Sequence, residues 1–470
     1  MAQDLEMTLG RNLTLGAGFL SALVVYCLFP GNVDWICDQP LLIAKALEAN
    51  RLNRWGELGI AGGNGTFYGP VPNFIYQVLL KLTHDLLNIV VIKVVLSFGM
   101  IVLGLWRISR DLELRKEGIF FALLSPLIYF YTRSLWDNVF LIPISAIYCS
   151  AIIGYLTRRR GSDFALATVS GWLLFNIHLM SLIIVVPGVI ALNVVCLTKD
   201  KRRIAIFFLI QTVFGVLSIP YLKTLLLAKT LTPYGRPQWF AILFSPVLGA
   251  RLFGYLGFFE YFSPNFFASL TNGARGGVVI LFILSSLGPF YFLLGLKRLL
   301  SKQHGFPPAV RWFFISVLFM TVLISLKMRL KAHPHYMNAS WVVYFSVFWK
   351  VYSDEVKKRK SQAIFMAYAA GLCLFLGVWI GYIEKNSGDR GLHFGPTLVN
   401  QIEIAKKLPR LNPVEKLTIA VEHFSDFPQR LIVLANIYGT EPVATKQKRL
   451  IYSKSAPSAE IGLVFEEPSK

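Results

Sequence analysis

"LLNIVVIKVVLSFGMIVLGLWRISRDLELRK", residues 86–116, decides the class of fold. Residues 86–106 form an apolar run long enough to cross the hydrocarbon core of a bilayer as a helix. The run ends against Arg107, Arg110, Arg115 and Lys116, the signature of a span stopped by a basic loop. The same alternation recurs along the chain. Of its 470 residues 55% are hydrophobic and 16% charged, and a mean hydropathy of +0.55 is too apolar for a soluble protein of this length. A net charge of +21 would point to nucleic acid in a soluble protein. Here most Lys and Arg sit in short clusters between apolar runs, so the excess reads as topology and no nucleic-acid partner is expected.

Spans are expected near 13–30, 86–106, 118–132, 138–157, 164–177, 179–197, 204–227, 276–296, 310–327, 336–350 and 361–383. The first lacks a strongly basic leader and a small-residue cleavage site, so it reads as a retained span. With a cytoplasmic N-terminus, alternate loops hold Arg107 to Lys116, Arg158 to Arg160, Lys199 to Arg203, Lys297 to Lys302 and Lys357 to Lys360. Every one is then a basic cluster on the inner face. The outer face receives the loop 31–85, the turn around Trp136, the aromatic-rich stretch 228–275, the stretch 325–341 and everything after Tyr382. The stretch 228–275 is too polar for one clean span and suits interfacial helices.

"SLKMRLKAHPHYMNASW", residues 325–341, is the one dense basic cluster that this orientation places outside. Inverting the protein would repair this loop and break five others. Cations at the outer lipid-water boundary make a seat for an anionic headgroup such as a phosphate. The competing reading is ordinary snorkelling of long basic side chains. His333 and His335 flank a proline and add donors on a rigid turn.

The outer loop 31–85 is long for a connection between spans, and long ordered loops tend to carry function. From Asp38 to Leu52 the apolar positions predict a helix lying along the membrane surface. Asp38 falls near its start, where the helix dipole favours the ionised form a general base needs; a plain N-cap is the alternative. "GGNGTFYGP", residues 62–70, lacks the ending of a nucleotide loop and follows no strand. Its Gly-Pro pair folds the loop back and carries Tyr68 toward the site, or makes a simple turn. Outside the C-terminal segment the outer acids are Asp34, Asp38, Glu48, Glu57, Asp85, Asp137 and Glu260, so a carboxylate base at this face is among them. Asp137 follows a short turn in which Arg133 is its candidate ion-pair partner. His178 falls where two spans meet at the outer edge, as a functional group or as an interhelical hydrogen bond. The five cysteines show no metal or redox spacing, no protease motif is present, and a metal is neither asserted nor excluded.

Composition shifts near residue 385. Residues 386–470 are expected to form a small extracytoplasmic α/β unit, with helices near 396–408 and 428–438 and strands near 416–421, 449–452 and 462–465. Residues 1–385 then form the membrane domain.

Taken in order, several stretches resemble the GT-C membrane glycosyltransferases of the bacterial glycosyltransferase family 39 type, relatives of protein O-mannosyltransferases and the aminoarabinose transferase. Asp38-Gln39, the helix after it and Tyr68-Gly69-Pro70 echo that family's acidic pair, surface helix and Gly-Pro segment. "TRSLWDNVFLIP", "NIHLMSLIIVVP" and "HPHYMNASW" echo its later turns. The resemblance covers most of 13–350. Gln39 stands where a second acid is usual and Asp137-Asn138 replaces Asn-Pro, which leaves the second outer loop to supply one carboxylate. What the resemblance implies is an all-α polytopic protein of about 11–13 transmembrane helices that moves a sugar from a polyprenyl-phosphate donor to an acceptor at the outer face of the inner membrane. Asp38, with Asp137, would do the acid-base work. Arg133, Arg329, Lys331, His333 and His335 would hold the leaving phosphate, and Tyr68, His178 and Tyr336 would line the site. A transporter or flippase of lipid-linked sugar, breaking no bond, is the rival reading.

Overall fold

The computed structural model describes residues 2–36, 38–56, 58–61, 67–199, 204–227, 266, 275–301, 305–328, 334–386, 397–408, 418–420, 427–440, 449–452 and 463–466. Arg329, Lys331, His333, the side chain of Tyr336 and most of the 228–275 stretch lie outside the described residues.

Each of the eleven apolar runs is helical. In chain order the helices are α1 (Ala2–Cys27), α2 (Asp38–Arg51), α3 (Val71–Leu82), α4 (Leu86–Asp111), α5 (Ile119–Leu123), α6 (Pro126–Arg133), α7 (Leu141–Arg158), α8 (Gly161–Phe175) and α9 (Leu182–Lys199). They continue with α10 (Ile204–Leu217), α11 (Ile219–Leu227), α12 (Arg275–Leu300), α13 (Pro308–Met328), α14 (Trp341–Glu355) and α15 (Arg359–Asn386). Among the described residues five helices are long and apolar enough to cross a membrane, or six if α10 and α11 count as one bent span. Two runs depart from single straight spans. The run at 118–132 splits into α5 and α6, because Pro126 removes a donor and Ser125 before it is extended. The run at 204–227 bends by 55° at Ser218, two residues before Pro220.

The helix α7 is the centre of the bundle, nearly enclosed by its neighbours, whereas α4 keeps one face outward. The two approach closely. A Cβ on Gly104 of α4 would stand 2.6 Å from the Ala146 carbonyl of α7, so glycine is what lets these backbones touch. Outward-facing Leu96 and Leu103 on α4, Ile190 and Val194 on α9, and Met366 and Leu374 on α15 are exposed, as a lipid-facing belt requires. The two ends of the bundle differ in chemistry. At one end Asp111 pairs with Arg110 at 3.0 Å and Arg158 at 2.8 Å, Arg107 pairs with Asp163, and Arg298 pairs with Glu355 at 2.6 Å. The other end carries Asp34, Asp38, Asp137 and His178.

The C-terminal segment forms α16 (Leu398–Ala405), α17 (Phe427–Tyr438) and a small sheet of β1 (Thr418–Ala420), β2 (Arg449–Tyr452) and β3 (Leu463–Glu466). Strands β1 and β2 are parallel, with Ile419 opposite Leu450, and β3 returns antiparallel, with Phe465 opposite Leu450. This segment is fastened to the stretch between α1 and α2. The N–H groups of Leu398 and Val399 donate to the carbonyls of Val33 and Gly31 at 3.0 and 3.1 Å. The Trp35 indole donates to the Arg430 carbonyl at 3.3 Å. The Tyr438 hydroxyl donates to Asp85 at 2.8 Å and accepts from Leu86 N–H at 2.6 Å, which ties α17 to the start of α4.

Candidate active site

Asp38 opens α2, where its charge complements the helix dipole. Its Oδ2 accepts a hydrogen bond from the Trp136 indole Nε1 at 3.0 Å. The other side of that indole faces the 334–337 turn: the Trp136 and His335 rings lie 5.2 Å apart. One tryptophan therefore joins the start of α2, the turn between α6 and α7 and the 334–337 turn, three places separated by about a hundred residues or more in the chain. Burial raises the Asp38 carboxyl above its ordinary range, and the indole N–H pulls it back toward the ionised form.

Asp137 follows directly and is almost wholly buried. Its Oδ1 accepts from Asn138 N–H at 2.7 Å, and its Oδ2 has no hydrogen-bond partner among the described residues. Burial first, and the charge of Asp38 second, push its carboxyl up to about 8, so it holds its proton at neutral pH. A third carboxylate, Asp34, is seated by Gln39, whose Nε2 donates to Asp34 Oδ2 at 2.6 Å and to Ser134 Oγ at 3.3 Å. Gln39 Oε1 in turn accepts from Ile36 N–H at 2.7 Å. Gln39, which occupies the place of a second acid, is thus the clamp for an acid four residues before Asp38. Burial raises Asp34 to about 6.

Beneath Asp34 lies Lys93, a buried lysine inside α4 whose ammonium donates to the Thr132 carbonyl and lies within electrostatic reach of Asp34. From sequence Asp34 is only one of seven candidate acids, and Lys93 is not among the expected site residues. For Lys93 a signal existed: a single cation in the middle of an apolar span is costly and calls for a partner. For Asp34 the signal lies in Gln39, whose hydrogen-bond geometry no sequence displays.

Arg133 is a correction. The ion pair with Asp137 does not form; the guanidinium donates to the carbonyls of Leu28 and Phe29 and to the Tyr129 hydroxyl, and lies over the Tyr129 ring. Phe29 has φ +50°, a left-handed conformation that costs a side-chain-bearing residue about 1–2 kcal/mol. It turns the end of α1 so that two carbonyls meet one arginine. That geometry makes Arg133 a cap for α1.

Tyr68 and His178 come together, their rings stacked with centroids 4.3 Å apart. The Gly-Pro turn places them. A Cβ on Gly69 would stand 1.9 Å from the Asn176 carbonyl oxygen, and Val71 N–H donates to that oxygen at 3.2 Å, so the loop packs backbone to backbone against the 176–178 turn. His178 Nδ1 accepts from Met180 N–H at 3.1 Å, which leaves the ring proton on Nε2, and burial pulls this imidazole down to about 4, so it is neutral. Tyr221 packs against Phe175, with ring centroids 5.4 Å apart, and its hydroxyl is within electrostatic reach of Asp137. Tyr76 lies within reach of both Asp137 and Asp34.

Of the residues expected at the site, Asp38, Asp137 and His335 converge around Trp136, and Tyr68 and His178 form a neighbouring pair. Arg133 caps the end of α1. The arrangement offers one partly buried carboxylate on a hydrogen-bond donor, a protonated carboxyl near it and an imidazole against the indole, which is equipment for moving a proton. Among the described residues no group of three or more His, Cys, Asp or Glu gathers at one point to hold a metal.

No family model and no curated protein matches the chain. Two solved structures are similar in overall arrangement, both of ArnT from Cupriavidus metallidurans. The crystal structure bound to undecaprenyl phosphate is 12% identical with a TM-score of 0.42, covering 93% of this chain and 93% of that one. The apo crystal structure is 11% identical with a TM-score of 0.42, covering 94% and 93%. Likenesses of this degree carry no residue role or activity over to the present chain.

Proposed function

We propose that this chain is an inverting membrane glycosyltransferase of the GT-C type, transferring a sugar from a polyprenyl-phosphate donor to an acceptor hydroxyl at the outer face of the inner membrane. The observation that carries the reading is the Trp136 junction, with Asp38 on its N–H and His335 against its ring. Base and basic turn are thereby neighbours, which is what single displacement at an anomeric carbon needs. Asp38 takes the proton of the acceptor hydroxyl as its oxygen attacks the anomeric carbon; the bond from that carbon to the phosphate oxygen breaks, and the configuration inverts. The phosphate leaves as a stable anion, so a cationic seat replaces a general acid. His335 belongs to that seat, with Arg329, Lys331 and His333 of the same turn. Asp137, protonated at neutral pH, stands within electrostatic reach of Asp38 without adding a second negative charge. The N-terminus is assigned to the cytoplasm and residues 386–470 to the outer face, as a small unit over the site, because the ion-paired basic end of the bundle then faces inward.

Two measurements test this. Mass analysis of lipid co-purifying with the protein should find a polyprenyl-phosphate sugar. In nanodiscs, Asp38→Asn should lower sugar transfer by about 10²–10⁴-fold while leaving lipid binding intact. Full transfer by the variant removes Asp38 from the role of base. Lipid translocation with no transfer by either form would make the protein a carrier of lipid-linked sugar.

A further inference from the structure

The 334–341 stretch and the 136–142 stretch meet at two points. His335 meets Trp136, and six residues later the Trp341 indole donates to the Ile142 carbonyl at 3.0 Å. Asn338 stands three residues after His335 and Asn138 two residues after Trp136, so each side of the junction carries an amide on its own turn, with Asp137 between Trp136 and Asn138. Asn338 N–H donates to the His335 carbonyl at 3.3 Å, which ties the amide to the same turn.

The side chains at this point are unusual for an interior. Asn338 is fully buried, yet neither its Oδ1 nor its Nδ2 has a hydrogen-bond partner among the described residues. Asn138 Oδ1 and Asp137 Oδ2 are likewise buried and unpartnered. Buried polar atoms are nearly always paired, and several unmet ones on two turns that meet at Trp136 and His335 mark a place that a polar ligand completes. Amides and a protonated carboxyl are neutral and offer both donors and acceptors. Their complement is neutral as well: a hydroxyl or an acetamido group rather than a phosphate or an amine.

The geometry points to Asn338 and Asn138 as the residues that read the ring substituents of the transferred sugar, so that the donor is a sugar bearing neutral hydrogen-bonding groups close to its anomeric carbon. This rests on the donor reading above. Both amides lie within three residues of the Trp136–His335 contact, beside which the sugar ring of such a donor has to sit. A pocket built to bond a hydroxyl discriminates strongly against a ligand that lacks it, because its own buried groups are then left unmet.

The test compares Asn338→Leu and Asn138→Leu with the unaltered protein in nanodiscs, using bare undecaprenyl phosphate and undecaprenyl phosphate carrying a hexose, a pentose or an N-acetylhexosamine. Affinity is read by native mass spectrometry and thermal shift. The unaltered protein should bind at least one sugar-bearing lipid more tightly than the bare one. Both variants should lose that increment, a weakening of about tenfold or more, while binding bare lipid as before. Leucine fills the same space without polar atoms, so the melting midpoint of the empty variants should be unchanged or higher; Asn338→Ser serves if Asn338→Leu does not fold. Retention of the sugar increment by both variants, or equal affinity of the unaltered protein for bare and sugar-bearing lipid, overturns this inference and leaves the donor class standing. Failure of the unaltered protein to bind any of these lipids overturns the donor reading along with it.

Discussion

Replacing Trp136 by Phe keeps an aromatic ring against His335 and removes one atom group, the N–H that donates to Asp38 at 3.0 Å. A hydrogen bond to a charged acceptor is worth roughly 1.5–3 kcal/mol, and Asp38 is largely shielded from water, so little of it is lost to solvent screening. Losing it raises the Asp38 carboxyl further, because burial is then less opposed. A base must be ionised to act, so the acidic limb of kcat/KM against pH should move in the alkaline direction. On that limb the rate falls about ten- to a hundredfold, and it recovers toward the unaltered value at higher pH. Transfer of labelled sugar from a polyprenyl-phosphate donor, measured between pH 5 and about 9, gives the profile. A uniform loss at every pH would mean that the indole only positions the loop, and an unmoved limb with normal rates would refute the claim that it tunes the base.

Asp137→Asn should mimic the protonated state that burial imposes, so its transfer rate at neutral pH should fall far less than that of Asp38→Asn. Its stability should also respond less to pH. An acid held at about 8 in the folded protein keeps a proton that the unfolded chain has released above the ordinary carboxylate range, so it lowers stability as pH rises through that window. Melting midpoints at pH 5 and pH 9 check this, and an unchanged difference between them would contradict the burial of a protonated group. Arg133→Met should destabilise by roughly 1–3 kcal/mol for each carbonyl left without a donor, with bare-lipid affinity unaltered. Weakened lipid binding by a folded Arg133→Met protein would return this residue to the phosphate seat. Gly69→Ala forces apart two backbones that meet at the Asn176 carbonyl, costing about 1–3 kcal/mol, and should lower transfer through displacement of the Tyr68–His178 pair. Unaltered melting and activity would show the turn to be slack.

The contrast between Asp38 and Asp34 shows how far the chain can be read without its fold. Asp38 stood out because a local feature surrounds it, an amphipathic surface helix with an acid at its start. Asp34 has no such frame. Its environment is made by Gln39, Ser134 and Lys93, and the last two reach it from other helices. Arg133 shows the converse error, in which sequence neighbours suggested an ion pair with Asp137 while the end of α1, a hundred residues away, supplied better-placed acceptors.

The sequence by itself determined where the helices lie, which loops are long, and where the C-terminal helices and strands fall, because apolar run length, proline position and residue periodicity act over a few turns of chain. It also separated a basic end from an acidic one. Only the tertiary structure decided which acids share an environment, which cation caps a helix, and that Trp136 stands between Asp38 and His335. Those are contacts between segments far apart in the chain, and their geometry is set by how distant helices and turns pack rather than by any local pattern.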